Sequence, residues 1–402
     1  MLVDVPIVLI LVGLAAYAVL AFADFGAGAW TLLARGGRAG PKATRDHARH
    51  AMGPVWEANH VWLVFVLVVC WTAYPVAFGS ITSTLSVPLF MAAIGIILRG
   101  AAYALRGQLD AAPGQRAVER LFALSSILVP FALGTVIGAV ASGRVPVGNA
   151  RGDLVTSWLN PTSILLGVLS VTAGAYLAAV YLAADARRLG ERTLALDFRT
   201  RALVSGVVAG ALALAGLLVV RSDAPPLWHG LTRGTGAAMV AVSAAAGLTT
   251  LALVWRDRFG AARASAALAV AAIVAGWALA QQPRVLPGLT IGQAAADRST
   301  LLAVVVAAAI GAVVLLPSLA LLFRLFLLGH LDAGASETLY LPRASERGRR
   351  RPTEAFAAVT GLAGVGVTVF ADPGWARAVG VVCLFAAAIS TFGLVARPDS
   401  EA

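Results

Sequence analysis

Trp56-Glu57-Ala58-Asn59-His60-Val61-Trp62-Leu63 opens an apolar run that continues from Val64 to Val69. The octapeptide sets a carboxylate, an amide and an imidazole at the mouth of a helix otherwise made of hydrocarbon. Glu57 and His60 are three residues apart, so on a helix they share a face. A helix needs about 20 apolar residues to cross the hydrocarbon core of a bilayer, and the segment 55–78 is long enough to do so. Ionisable side chains in such a place are energetically expensive and are functional by default.

The whole chain has the same character. Of its 402 residues 59% are hydrophobic and 13% charged, and the mean hydropathy is +0.84. Soluble domains carry about 25% charged residues, so the composition defines an all-α integral membrane protein. The net charge of +11 would suggest nucleic acid in a soluble protein. Here the basic residues sit between apolar runs and read as topology markers, and no nucleic-acid partner is expected. Cys70 and Cys383 lie far apart inside apolar segments. They form no metal spacing and no disulfide framework.

Apolar segments fall near 5–33, 55–78, 82–106, 119–142, 161–184, 200–220, 235–255, 262–282 and 300–328, with two more near 355–370 and 376–396. The first lacks a basic leader, carries Asp4 and is too long for the apolar stretch of a signal peptide. Arginines crowd the loops after the odd-numbered segments: Arg35, Arg38, Arg45 and Arg49, then Arg106, Arg116 and Arg120, then Arg187, Arg188, Arg192, Arg199 and Arg201. Arg256, Arg258 and Arg263 follow the seventh, and Arg343, Arg347, Arg349, Arg350 and Arg351 the ninth. The alternate loops carry few. The positive-inside rule then places the N-terminus outside. The expected organisation is a transmembrane domain over 1–330, a basic cytoplasmic linker over 331–354, and a C-terminal extension over 355–402 with one or two further membrane helices.

At 1.5 Å rise per residue, Asp24 lies about 14 Å from the cytoplasmic end of the first span. Glu57 and His60 lie about 6 and 10 Å inside the second, and Arg99 about 10 Å inside the third. Spans four to eight hold no acid or base at comparable depth, so one polar cluster can form, on three consecutive helices. Each residue also has a plainer reading. Arg99 can snorkel to the inner interface. Glu57 can be a first-turn acid favoured by the helix dipole, behind Pro54 at the first position. His60 can be a hydrogen-bonded structural histidine, and Trp56, Trp62 and Trp71 packing or interfacial anchors. Asp24 is hardest to explain away, because Gly26 and Gly28 permit close helix approach and turn its face towards protein. Prolines 75, 88, 130 and 317 mark bends.

Several stretches, in order, carry a resemblance. They are Ala23-Asp24-Phe25-Gly26-Ala27-Gly28, then Gly53-Pro54-Val55-Trp56-Glu57-Ala58-Asn59-His60-Val61-Trp62-Leu63, then Leu98-Arg99-Gly100-Ala101-Ala102-Tyr103-Ala104-Leu105-Arg106. Further on come Asn160-Pro161-Thr162-Ser163 and Gly276-Trp277-Ala278-Leu279-Ala280-Gln281-Gln282-Pro283. Over residues 1–330 the chain resembles subunit II of the bacterial cytochrome bd quinol oxidases. The resemblance implies about nine core transmembrane helices, arranged as two four-helix bundles plus a peripheral helix. It implies a haem-bearing subunit I as partner, with haem b and haem d there, in a complex of the bacterial plasma membrane that oxidises quinol and reduces dioxygen to water. It allows a structural quinone or lipid in this chain, and small single-helix subunits beside it. Glu57, Asp24 and His60 match the cytoplasmic proton pathway. Trp62, Arg99, Trp56 and Asn59 match positions near an oxygen route or the subunit interface. No catalytic residue and no metal is expected in this chain.

The departures are specific. The family motif reads Trp-Asp-Gly-Asn-(Glu or Gln)-Val-Trp, where this chain has Glu57, Ala58 and His60. Ala104 stands where the family carries a further acid, and Ala21-Phe22-Ala23 precede Asp24 where the family has another. A secondary transporter or channel is the competing class, since transporters also place intramembrane acids on broken helices. The off-centre charges and the lack of a matched pair of helix breaks in the two halves argue against it.

Overall fold

A computed structural model describes residues 2–34, 37–50, 53–105 and 112–327, and within 356–387 residues 356, 359–364, 367, 379–380, 383 and 386–387. The chain divides into two compact units, Met1–Ser336 and Glu337–Ala402.

The first unit is almost entirely helical. After a single 3-10 turn, α1 runs Val5–Leu32, α2 Pro41–His50, α3 Gly53–Ala73, α4 Pro75–Thr84, α5 Ser86–Leu105 and α6 Ala112–Ala141. Then follow α7 Pro161–Arg188, α8 Arg192–Asp223, α9 Pro225–Thr232, α10 Gly234–Trp255 and α11 Phe259–Gln281. A two-stranded antiparallel hairpin, β1 Arg284–Leu286 and β2 Leu289–Thr290, leads through the short α12, Ile291–Ala294, into α13, Arg298–Leu327. Among the described residues eight helices are long and apolar enough to span a membrane. The pair Ala58–Ala73 and Pro75–Thr84, bent by 119°, supplies a ninth.

Helix contacts sort these spans into two groups. In the first, α1 packs on α3 and α6, and α5 on α6; in the second, α7 packs on α8 and α11, and α10 on α8 and α11. The groups meet where α7 packs on α1 and α6, while α13 lies against α3. This is the expected pair of four-helix bundles with one peripheral helix. Small residues make the close contacts. The core of the second bundle is built on Ala178, Ala179, Ala183, Ala186, Ala262 and Ala266, all fully buried. Where the bundles meet, a Cβ on Gly26 of α1 would fall on the backbone carbonyl of Gly174 in α7. Close backbone approach of this kind drives helix association in lipid, where hydrophobicity cannot.

The second span differs from expectation. Reading 55–78 as one helix makes Pro75 a bend, but the helix stops at Ala73 and a new one starts with Pro75 at its first position. Proline supplies no N–H and clashes with the preceding turn, so it starts a helix more readily than it continues one. Pro130 and Pro317 do lie inside α6 and α13. Pro54 is the second residue of α3, not the first, and Glu57 the fifth, beyond the first turn. The loop segments also hold structure that the apolar pattern misses: α2, α9, the hairpin and α12.

On the face opposite the candidate site, α4 is tied beneath the loop 142–160. The Gly148 and Ala150 amides donate to Ser80 Oγ and Ser83 Oγ, both at 2.9 Å. Nearby, Arg144 pairs with Asp223 through both guanidinium nitrogens, at 3.0 and 2.7 Å, and Thr162 donates its hydroxyl to the same carboxylate at 2.5 Å. One acid thereby joins the end of α6, the start of α7 and the end of α8.

In the second unit, the Thr360 hydroxyl donates to the Phe356 carbonyl at 2.7 Å, a helical i−4 contact. The expected linker over 331–354 lies outside the described residues, as does most of the two expected C-terminal helices.

Candidate functional site

The first bundle carries its polar core near the end of α1. Asp24 is eight residues from Leu32 and thus about 12 Å from the helix end. Its side chain is 2% exposed, and so is that of Arg99 on α5, whose Nη2 donates to Asp24 Oδ1 at 2.5 Å. The same nitrogen reaches the Asp24 carbonyl at 3.2 Å. Asn59 on α3, fully buried, donates from Nδ2 to the other carboxylate oxygen at 3.1 Å. Three helices therefore converge on one carboxylate.

A fourth helix completes the cluster. Arg99 Nη1 donates to Ser126 Oγ on α6, and that hydroxyl in turn donates a hydrogen bond to the Phe122 carbonyl at 2.5 Å. The guanidinium carbon sits 4.1 Å from the centroid of the Phe122 ring and 4.9 Å from that of Phe25. Two aromatic faces thus shield the cation. Gly28, one turn beyond Asp24, supplies the room: a Cβ there would overlap Ser126 Oγ and come within 2.8 Å of Arg99 Nη1. A buried ion pair is tolerable only when geometry and extra hydrogen bonds offset the loss of hydration. Here the amide, the hydroxyl and the rings provide that compensation.

The snorkelling reading of Arg99 is therefore corrected, since the side chain turns inward to its counter-ion. His60, half-buried, lies within the electrostatic reach of Asp24. Trp62 packs half-buried on the cluster of Tyr17, Ala21, Phe25 and Val129, one layer further into the membrane. The backbone of α3 carries Trp56 and Glu57, but the side chains of both lie outside the described residues.

Ser126 and Phe122 are members that sequence reasoning did not select, whereas Gly28 was read as permitting close approach. A serine pair, Ser125-Ser126, within an apolar span was the available signal. A second acid was also overlooked because the fifth span was ended at 184, whereas α7 continues to Arg188. Asp185, buried to 4% exposure, pairs with Arg263 of α11 at 2.5 Å and approaches Arg188 at 3.8 Å. It lies about 4.5 Å from its helix end, shallower than Asp24. The deep charge therefore remains a property of the first bundle.

A polytopic helical membrane protein with a deep buried ion pair in one of two packed four-helix bundles is the class that fold and site define. The chain belongs to the cytochrome bd terminal oxidase subunit II family, whose model matches residues 2–326. It is 23% identical over 217 residues, 54% of its length, to the Bacillus subtilis (strain 168) protein named "Putative cytochrome bd menaquinol oxidase subunit II". It is 27% identical over 122 residues, 30% of its length, to the cytochrome bd ubiquinol oxidase subunit 2 of the same organism. These alignments span 61% and 36% of the two relatives. Among solved structures, a chain of the bd oxidase from Geobacillus thermodenitrificans superposes with a TM-score of 0.64 at 13% identity, covering 81% of this chain and 98% of that one. That likeness establishes the shared fold.

Proposed function

We propose that this chain is the accessory subunit of a bd-type terminal oxidase of the bacterial plasma membrane, which oxidises quinol and reduces dioxygen to water. Its partner is a haem-bearing subunit I, which it stabilises and to which it delivers protons from the cytoplasm. The observation that carries this reading is the Asp24 carboxylate, enclosed by α1, α3, α5 and α6 and held by Arg99 and Asn59. Family membership supplies the context, and the depth of the acid supplies the task.

Haem b and haem d are assigned to the partner, where haem d supplies the oxygen-reducing chemistry. His47 of this chain has Nε2 occupied by the Leu182 carbonyl at 2.9 Å. On this chain, Glu57, early in α3 at the end assigned to the cytoplasm, takes up the proton, and His60 follows three residues on. Asp24 is the inner carboxylate, and Arg99 and Asn59 fix its two oxygens in space. Trp62 lines the layer beneath, on the side assigned to the oxygen route or the subunit interface. A relay carboxylate works when burial and neighbours tune its proton affinity, and the Asp24 cluster contains both.

The test is Asp24→Asn in the complex co-expressed with its partner subunit. The amide preserves volume and an acceptor for Arg99 but cannot carry a proton. Because Arg99 loses its counter-ion, the yield of assembled complex should fall, and at matched haem content quinol-driven oxygen uptake slowed by at least about tenfold is the expected result. Wild-type turnover would sink the relay role. A chain that purifies without a haem-bearing partner, and binds a transported solute instead, would sink the oxidase reading itself.

A further inference from the structure

Three polar atoms around the ion pair have no hydrogen-bond partner among the described residues: Tyr17 Oη, Asn59 Oδ1 and Arg99 Nε. Their residues are 7%, 0% and 1% exposed. Asn59 and Arg99 both bond to Asp24, and the Tyr17 hydroxyl lies within electrostatic reach of Asp24 and Arg99. All three residues therefore lie about the same ion pair. An unpaired buried polar atom costs about 1–3 kcal/mol, and internal water is the usual partner of such groups.

Tyr17 stands seven residues before Asp24 on α1, close to two helical turns and hence on the same face. That puts it about 10 Å nearer the middle of the bilayer. Around it lie Ala21, Phe25, Val129, Trp62, Ile96 and Leu133, so its hydroxyl is a polar point in an apolar layer. Packing alone does not explain that hydroxyl. In a dry site, phenylalanine would fill the same volume without leaving an O–H unpaired.

We propose that ordered water occupies the space between Asp24, Asn59 and Tyr17, and that the Tyr17 hydroxyl carries the proton route inward from Asp24. The proposal rests on the relay reading of Asp24. In the transfer, the phenol oxygen accepts a proton from a protonated water on the Asp24 side while its own proton passes to water on the far side. The donor water loses an O–H bond as the phenol oxygen gains one, the phenol's original O–H breaks as the far water gains one, and the tyrosine is neutral before and after.

The experiment compares Tyr17→Phe with wild type, Asp24→Asn and Glu57→Gln, each as the complex with its partner subunit. Tyr17→Phe should keep its haem content and thermal midpoint, lose at least about tenfold in quinol-driven oxygen uptake, and show a larger H2O/D2O rate ratio. Wild-type turnover and isotope ratio in Tyr17→Phe, with both carboxyl variants slowed, would overturn the role of Tyr17 alone. Wild-type turnover in all three would overturn the relay reading as well. If Tyr17→Phe does not assemble, Tyr17→Gln and Tyr17→Leu are compared at matched haem content. Faster turnover in the glutamine variant supports the proposal, and equal turnover overturns it.

Discussion

Asp24 and Arg99 meet at 2.5 Å with both side chains 2% exposed, and seventy-five residues separate them in sequence. Neither charge is tolerable in that place without the other. Removing one partner of a buried pair typically costs about 3–5 kcal/mol, whereas replacing both by apolar groups is often neutral or stabilising. Arg99→Leu is therefore expected to lower the yield of assembled complex sharply and to depress its thermal midpoint in detergent. The double variant Asp24→Leu with Arg99→Leu should recover most of that loss. An equally unstable double variant would show that the pair is not what the single change disrupts.

Glu57→Gln tests the outer carboxylate independently of the ion pair. Assembly and haem content should match wild type, while oxygen uptake slows by at least about tenfold. Turnover at the wild-type rate would reduce Glu57 to a packing residue.

Two glycine substitutions separate helix propensity from close approach. Gly100→Ala on α5 meets nothing within 4 Å, so it should be neutral or stabilise by up to about 1 kcal/mol. Gly26→Ala would drive a methyl group onto the Gly174 backbone and within 2.8 Å of Ala178 Cβ. Backbone cannot rotate aside as a side chain can, and overpacking of this kind costs about 1–3 kcal/mol. Unfolding curves of both variants, read side by side, should move apart. A Gly26→Ala protein as stable as Gly100→Ala would contradict the contact.

Asp223 accepts from Arg144 and Thr162 at the far end of the bundles. Asp223→Ala removes the shared acceptor and should destabilise the protein by about 1–3 kcal/mol. Oxygen uptake per assembled complex should be unchanged, because the acid is remote from Asp24. A fall in turnover without loss of stability would assign it a different role.

Asp297 leads into α13, and hydrogen bonds from Ser299, then from the hydroxyl and amide of Thr300, hold its carboxyl down to about 2. The ordinary value is 3.8, so the folded protein binds this proton less readily than the unfolded chain does. Its contribution is complete above about pH 4 and disappears as pH falls towards 2. Amide exchange at the start of α13 should accelerate over that interval in wild type. In Asp297→Asn that segment should show no such acid-dependent step.

The spans of the first unit and the depth of Asp24 and Arg99 were legible because the bilayer fixes helix length and penalises every buried ion. Asp24 and Arg99 announced themselves as charges inside hydrocarbon. Their pairing did not, because a helix can place an arginine either towards the interface or towards a neighbour, and only packing decides which. Gly28 was visible as a small residue, but its purpose depends on Arg99 arriving from another helix. Ser126 was hidden for a related reason: a serine in a membrane helix commonly satisfies itself on the preceding turn, as Ser126 does on Phe122, and its second contact is tertiary. The bend at Pro75 was legible, but that the helix breaks fully at Tyr74 and α4 runs on to Thr84 was not, because a hydropathy window averages across Pro75 and records only that both sides are apolar.

The crossing of Gly26 and Gly174 has a mechanical meaning. Two helices held apart by side chains can slide, since rotamers yield by an ångström or more. Backbone resting on backbone leaves only rotation about the point of contact, like a pin through two levers. Asp24 sits two residues from that pin, and its counter-ion is carried by α5, which stands outside the crossing. A tilt of α7 about the pin would move the helix ends most and Asp24 least, so the crossing keeps the Asp24–Arg99 pair, which lies wholly within the first bundle, undisturbed as one bundle turns on the other.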